Sequence, residues 1–427
     1  MLSVKFIKDQ DKKIKADLKK RFKEDKIKVV DEVITAYEKW LPLKKDIESF
    51  RHKRNVLSQE VNQLKKAGKN ASNKLKEVKA IPGKIAALET KQKALQEKMD
   101  KGLLQIPNVM HPNVPAGKDE SKNKVLRKWG EIKKFDFPLV NHAELVEKLG
   151  LANFDAGRKN TGHGFNYLLG DLALLDLALQ RYGLEFLLKK GFTPVVPPML
   201  LRHKVLLHVL NGLEDFEDVV YKIEDEDAFL IGTAEHSLAS LFANKTLSLE
   251  ELPIKVCAVT PCFRKEIGST GVDTKGLFRM HQFNKVEQVV FCSAEESFKQ
   301  LEEMQSITEK FFQSLKIPYR VVEICSGDLG AKFARQYDIE AWFPRQKAYR
   351  EVTSAGNCTD YQARSLNTRY LDKKKEKQFV HILNNTMVAT SRAMVVILEN
   401  FQQKDGSIRV PTVLQKYMNG LKKIGKK

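Results

Sequence analysis

The chain has 427 residues, more than one hydrophobic core usually holds, so two or three domains are expected. With 42% hydrophobic residues, 30% charged residues and only 23 glycines and 14 prolines, it reads as globular, which excludes collagen-like, low-complexity and disordered classes. The formal charge of +20 points to a polyanionic partner, nucleic acid before membrane.

No apolar run approaches the eighteen or so residues that span a bilayer, so no membrane partner is expected. The N-terminus has no apolar stretch of signal-peptide length, and Asp9, Asp11 and Asp17 argue against an acid-poor transit peptide. The cytoplasm is the expected compartment. Residues 1–100 carry 27 Lys and Arg against 15 Asp and Glu, a surplus of 12 out of the chain's 20. That segment is the expected electrostatic footprint, although a solvated lysine-rich helical surface has the same composition.

From Val33 onward apolar residues recur in steps of three and four: Val33, Ala36, Trp40, Leu43, Ile47 and Phe50, then Leu57, Val61 and Leu64. This is a heptad seam broken by Arg54. A polar stretch, 67–73, precedes a second seam through Val78, Ile81, Ile85, Leu88, Gln92, Leu95 and Met99. Two long helices joined by a short turn should fold back as an antiparallel hairpin, a coiled-coil arm. Pro82-Gly83 lies inside the second seam and predicts a kink, since proline removes one helical hydrogen bond. Arg51, Lys53, Arg54, Lys65, Lys66, Lys69, Lys74, Lys76, Lys79 and Lys84 gather positive charge towards the tip, as phosphate tracking requires. A solubilised dimerisation coiled coil fits these residues equally well.

Three prolines, Pro107, Pro112 and Pro115, stop the helix and mark a boundary, giving residues 1–106 as an arm domain and 107–427 as a second domain. In the second, apolar runs at Ile254–Thr260, Val286–Phe291 and Tyr319–Ile324 predict strands. Gly170–Leu188, Glu295–Leu315 and Met387–Phe401 predict helices. Long loops between strands favour an α+β fold with a mixed, mainly antiparallel sheet over a doubly wound one. The five cysteines, at 257, 262, 292, 325 and 358, form no C-x-x-C pair and read as reduced core residues.

No P-loop, dinucleotide-binding glycine fingerprint or H-E-x-x-H occurs. The candidate nucleotide site is Cys262-Phe263-Arg264-Lys265-Glu266, the loop Ile267-Gly268-Ser269-Thr270-Gly271, and then Phe278-Arg279-Met280-His281-Gln282-Phe283-Asn284-Lys285-Val286-Glu287. On a strand Arg264 and Glu266 share a face, as do Phe283 and Glu287, so a hairpin could set all four around one ligand.

F-R-x-E, a loop and R-x-H-Q-F-x-K-x-E resemble the second signature motif of the class II aminoacyl-tRNA synthetases, in its seryl form. The resemblance runs nearly end to end. His111-Pro112-Asn113-Val114-Pro115 and Trp129-Gly130-Glu131 resemble the family's linker, and Gly191-Phe192-Thr193-Pro194 through Pro197-Pro198 its first motif, whose proline lies at a dimer interface. Thr233-Ala234-Glu235 matches the serine loop. Tyr337-Asp338-Ile339-Glu340, Glu351-Val352-Thr353-Ser354 and Asn357-Cys358-Thr359-Asp360 match a Mg–ATP block, and Asn384-Asn385-Thr386 with Arg392 and Glu399-Asn400-Phe401 resembles the third motif.

The resemblance implies a homodimeric enzyme that activates L-serine with ATP and Mg²⁺ and charges tRNA(Ser), gripped by the basic arm. Whether tRNA(Sec) is also charged stays open. It places the α-phosphate on Arg264, the adenine amino group on Glu266, ring stacking on Phe283, a further phosphate contact on Arg279 and the γ-phosphate on Arg392. Lys265, Met280, Val352 and Thr353 complete the ATP set, and Glu351 and Ser354 would hold Mg²⁺. Thr233, Ala234, Glu235, Glu287 and Thr386 form the serine set, with Arg264, Glu287 and Arg392 as catalytic residues. Departures from the pattern are Val272 for an arginine in the loop, Ser365 for the second arginine of A-R-R, and Ala355-Gly356 for a Ser- or Cys-containing pair. Another class II specificity, a non-catalytic RNA-binding paralogue and a purely structural coiled-coil protein are the alternatives. Arg264, Glu351 and Arg392 favour a working enzyme over the paralogue.

Overall fold

The structure is a computed structural model that describes residues 1–210, 219–266 and 276–425. The loop residues 267–271 and Val272 lie outside the described residues. The chain divides into two compact units, Leu2–Pro107 and Asn108–Lys427 together with Met1.

The first unit is dominated by helices α1 (Ile27–Lys66) and α2 (Ser72–Gln105). At about 1.5 Å rise per residue, the 40 residues of α1 reach ~60 Å. The chain reverses at Gly68, whose φ of +65° suits a residue without a Cβ, while the Lys69 N–H returns to the Leu64 carbonyl at 2.9 Å. Heptad spacing puts Ile47 and Leu57 of α1 against Ile81 and Ile85 of α2, flanked by half-buried Phe50, Val78 and Leu88. The second helix runs unbroken through Pro82, where the sequence predicts a kink, and α1 likewise continues through Pro42. Both prolines are exposed, so their rings stay off the buried seam.

The second unit contains, in chain order, β1 (Lys124–Trp129), α3 (Gly170–Leu188), β2 (Thr193–Pro194), α4 (Ala234–Ala239), β3 (Ile254–Phe263), β4 (Gln282–Cys292), α5 (Ser297–Ser314), β5 (Tyr319–Glu323), β6 (Arg335–Phe343), β7 (Ala348–Asn357), β8 (His381–Ala389) and α6 (Thr390–Asn400). The eight strands form one sheet in the order β1-β5-β6-β7-β8-β4-β3-β2. All neighbours pair antiparallel except β2 with β3. This is the mixed, mainly antiparallel sheet that the sequence predicts.

Alternation along β4 builds a core on each face of the sheet. Val286, Val290 and Cys292 join Leu175 and Leu179 of α3, Met304 and Phe311 of α5 and Val395 of α6. Val289 and Phe291 join Leu206, Val209, Leu238 of α4 and Leu366. The five cysteines are buried and unpaired. One boundary differs from expectation: Met387, Val388 and Ala389 end β8 instead of starting a helix, because Val388 and Ala389 pair with Val286 and Lys285 of β4. No helix among the described residues is long and apolar enough to cross a membrane.

Candidate active site

Odd-numbered residues of β4 turn away from the α3, α5 and α6 core, so Phe283, Lys285 and Glu287 form a row on one face. Register sets Cys262 of β3 opposite Phe283 and Thr386 of β8 opposite Glu287. A cleft of about 130 Å³ is lined by Phe283 and Lys285 of this row and by Thr386. Arg264, Glu266, Arg279, Met280 and Phe283 line it from the β3–β4 side, and Glu351, Val352, Thr353 and Arg392 from the β7–α6 side. Lys265, Ser354, Thr233, Ala234, Glu235 and Glu287 are not on its wall. Arg264 and Glu266 do not share a strand face as expected, since β3 ends at Phe263 and Glu266 adopts a left-handed φ of +49°. Both reach the cleft by that turn instead.

Three arginines and Lys285 give the cleft the donors for an anion. The Arg264 guanidinium lies 5.5 Å from the Phe283 ring centroid and its Nε donates to the Gly232 carbonyl at 3.1 Å, which fixes its aim. Arg392 pairs with Glu351 at 3.1 Å and Arg279 approaches Glu266 at 3.9 Å. Arg392 and Arg350 each sit 5.2 Å from the Phe278 ring.

Behind the wall, against Lys285, stands Glu287, only 1% exposed. Its Oε2 meets Lys285 Nζ at 2.5 Å and accepts hydroxyl bonds from Thr233 and Thr386, each at 3.3 Å. Lys285 Nζ also donates to Thr386 Oγ1 at 3.3 Å. Burial pushes the Glu287 carboxyl above its ordinary 4.5, and Lys285 works against that rise. Thr386 is mid-strand and lies directly opposite Glu287 across the β8–β4 pair. Thr233 caps α4, accepting the Glu235 N–H at 3.2 Å, so the T-A-E turn carries its threonine hydroxyl to Glu287. Glu235 is buried and pairs with Lys332 at 2.6 Å.

On a regular strand Glu351 and Ser354, three residues apart, would face opposite ways. Glu340 pairs with Glu351 but Ile339 with Thr353, so Val352 is an extra residue in a β-bulge. The bulge returns Glu351 and Ser354 to one face, together with Asp338. Burial, and then the Glu351 charge, hold the Asp338 carboxyl well above 3.8, while Gln336 donates to both Asp338 Oδ1 and Ser354 Oγ. A carboxylate and a hydroxyl on one face are hard oxygen donors that suit Mg²⁺, which takes few protein ligands and keeps its water and phosphate oxygens.

Two family models match the sequence: the seryl-tRNA synthetase N-terminal domain over residues 1–110, and the tRNA synthetase class II core domain (G, H, P, S and T) over 220–401. The serine--tRNA ligase of Methanoregula boonei is 45% identical over 98% of this chain and 99% of its own. The chain belongs to the seryl-tRNA synthetase family. A crystal structure of the seryl-tRNA synthetase from Pyrococcus horikoshii complexed with ATP superposes with a TM-score of 0.90 at 45% identity, covering 99% of both chains. A cytoplasmic serine-tRNA ligase from Naegleria fowleri, solved with AMP, gives 0.85 at 34% identity over 99% of this chain and 98% of that one.

As a seryl-tRNA synthetase sequence the chain quotes Lys285 inside its second motif, yet its place beside Glu287 rests on a signal no motif supplies: two residues apart on a strand, they share a face. Phe278 of the second motif lines the cleft too, as do Ala389 and Ser391, which no motif contains. Lys332 and Gln362, which hold Glu235, carry no sequence signal, because topology brings them there from 97 and 127 residues away.

Proposed function

We propose that the chain activates L-serine with ATP to form seryl-adenylate and then transfers the seryl group to the 3′ end of tRNA(Ser). The observation that carries this reading is the Glu287 cluster, where one buried carboxylate oxygen gathers Thr233, Thr386 and Lys285 behind the wall of an arginine-lined cleft. A small substrate hydroxyl suits such an acceptor, and the arginines suit a polyphosphate.

A serine carboxylate oxygen attacks the α-phosphorus, forming an O–P bond as the bond to pyrophosphate breaks. Repulsion between the anions is the barrier, and Arg264 and Arg392 address it while Phe283 and Glu266 hold the adenine. Serine's carboxylate is ionised near neutral pH, so this step needs no general base. Glu351 and Ser354 would hold Mg²⁺, which supplies charge neutralisation at the phosphates. A ribose hydroxyl of the tRNA terminus then attacks the adenylate carbonyl and AMP leaves.

Residues 1–106 serve as the tRNA-binding arm and 107–427 as the catalytic domain. In the arm Arg51, Lys53 and Lys74 pair with Glu89, Glu77 and Glu60. Arg54, Lys65, Lys66, Lys69, Lys76 and Lys79 are exposed and make no ion pair among the described residues, which leaves them for phosphate. The enzyme works as a cytoplasmic homodimer. Support for the dimer is the fully exposed Val196 beside the short edge strand β2, with Met199 and Leu200 also exposed.

Pyrophosphate exchange with each amino acid in turn tests the reading, run with and without a chelator and followed by charging of tRNA(Ser) and tRNA(Sec) transcripts. Exchange that depends on serine and Mg²⁺ is expected, together with a dimer mass in solution. Exchange driven by another amino acid and not by serine overturns the assignment.

A further inference from the structure

Glu235 ends the T-A-E turn, yet its side-chain partners come from elements that line no part of the cleft. Lys332, between β5 and β6, sets Nζ 2.6 Å from Oε1, and Gln362, in the helix Tyr361–Leu366, donates to the same oxygen at 2.9 Å. All three side chains are buried. Both bonds fall on Oε1, and among the described residues none falls on Oε2.

A buried ion pair is poor value as a staple, because its Coulomb energy is largely consumed by desolvation and apolar packing of the same volume would hold as well. The pair therefore asks for another reason. Two donors on one carboxylate oxygen stop the group from rotating and leave the second oxygen in a set direction. Lys332 is itself fixed at both ends, since its carbonyl accepts from Asn108 Nδ2 at 3.0 Å and its ammonium lies 5.0 Å from the Phe333 ring. Burial alone would lower the Lys332 pKa, but Glu235 and its other acidic neighbours outweigh burial and keep the ammonium charged.

Thr233 joins this pair to the substrate end, with its hydroxyl donating to Glu287 and accepting from the Glu235 N–H. The two buried acids, Glu235 and Glu287, thus each carry a lysine, Lys332 and Lys285. Both acids are thus already paired, and Arg264, bonded to the Gly232 carbonyl beside Thr233, adds a cation for a carboxylate, so ammonium and carboxylate of a zwitterion each find an opposite charge.

We propose that Lys332 and Gln362 are positioning residues for serine: they orient Glu235 so that its remaining carboxylate oxygen receives the substrate ammonium group. This rests on the reading of Thr233-Ala234-Glu235 as part of the serine site.

The test uses the full-length chain carrying Lys332→Met, Lys332→Arg, Gln362→Met or Glu235→Gln. Pyrophosphate exchange gives KM for serine and for ATP, and inhibition by L-glycerate, which keeps the hydroxyl and carboxylate but lacks the ammonium, gives a second affinity. Lys332→Met should raise the serine KM about 10- to 100-fold, the usual range for residues that orient a ligand. Its ATP KM and glycerate inhibition should stay within about twofold, Gln362→Met should shift the same constant by less, and Lys332→Arg should restore most of the loss. A wild-type serine KM in Lys332→Met, or parallel losses for serine, glycerate and ATP, overturns the proposal. If Lys332→Met does not fold, Gln362→Met decides by the same criteria. An unchanged serine KM in Glu235→Gln would sink the serine-loop reading itself, whereas a raised one beside a normal Lys332→Met would sink the positioning role alone.

Discussion

Replacing Thr386 by valine removes one hydroxyl from the Glu287 cluster and keeps the branched shape of the side chain. Thr386 Oγ1 lies 3.3 Å from both Glu287 Oε2 and Lys285 Nζ, long for charge-assisted bonds, so the net value of an ordinary hydrogen bond applies, ~1 kcal/mol. The 2.5 Å contact between Lys285 and Glu287 survives the change. Thr386→Val should therefore lower the serine-to-alanine ratio of kcat/KM roughly fivefold, from a starting discrimination of ~10⁴ or more for a site built around a substrate hydroxyl. Glu287→Gln removes the ionised acceptor, worth ~1.5–3 kcal/mol to a hydrogen bond, and should lower the ratio ~10- to 150-fold. It also strands Lys285 in the interior, so its folded state should lose more stability than that of Thr386→Val. Exchange rates with serine and alanine, measured beside thermal melts, separate the two effects. If Thr386→Val melts earlier but keeps the wild-type ratio, the residue is a strut between β4 and β8. An unchanged ratio in Glu287→Gln would falsify hydroxyl recognition at this carboxylate altogether.

Three other changes probe the rest of the molecule. Excising residues 33–100 and bridging with a short linker should leave serine-dependent exchange within a few-fold while aminoacylation collapses; a truncated enzyme that charges tRNA normally refutes the arm's role. In the intact protein each phosphate contact should add roughly 0.7–0.9 to the slope of log affinity against log salt. Arg264→Ala and Arg392→Ala should each cut exchange kcat/KM ~100- to 1,000-fold, and wild-type rates in either folded variant remove that arginine from the site. Burial, with Lys332, Arg264 and Lys285 nearby, holds His236 neutral well below 6.5, so unfolding takes up a proton and stability falls as pH drops below 6.5 towards the folded value. His236→Asn should flatten the melting profile between about pH 5 and 6.5, and an unaltered slope shows that another group drives the loss.

What could be read from the sequence is what local spacing encodes. The arm follows from steps of three and four, and the row Phe283, Lys285, Glu287 from the period of two in a strand. Features decided by a partner strand could not be read. The bulge at Val352 exists because β6 has one residue fewer than β7 across that stretch, and without it the carboxylate of Glu351 and the hydroxyl of Ser354 would lie on opposite faces. Nor does an apolar run reveal where β8 stops and α6 starts, because only pairing with β4 claims Val388 and Ala389 for the strand. At Pro82, where the sequence predicts a kink, the helix runs on without a break, and the seam residues Ile81 and Ile85 around it are buried.

The contrast between Glu287 and Glu235 carries the point further. Each is a buried acid neutralised by a lysine, but Lys285 stands two residues from Glu287 on the same strand, whereas Lys332 reaches Glu235 across 97 residues of chain. The first pair is written into a motif and travels with it. The second depends on the loop between β5 and β6 holding its place against α4, so a change anywhere along that loop can disturb the serine end of the cleft while every motif residue stays intact. On the proposed role of Glu235, a sequence that keeps every motif residue would still weaken its hold on serine when this loop shifts, and the Lys332 and Gln362 variants measure how much of that hold lies outside the motifs.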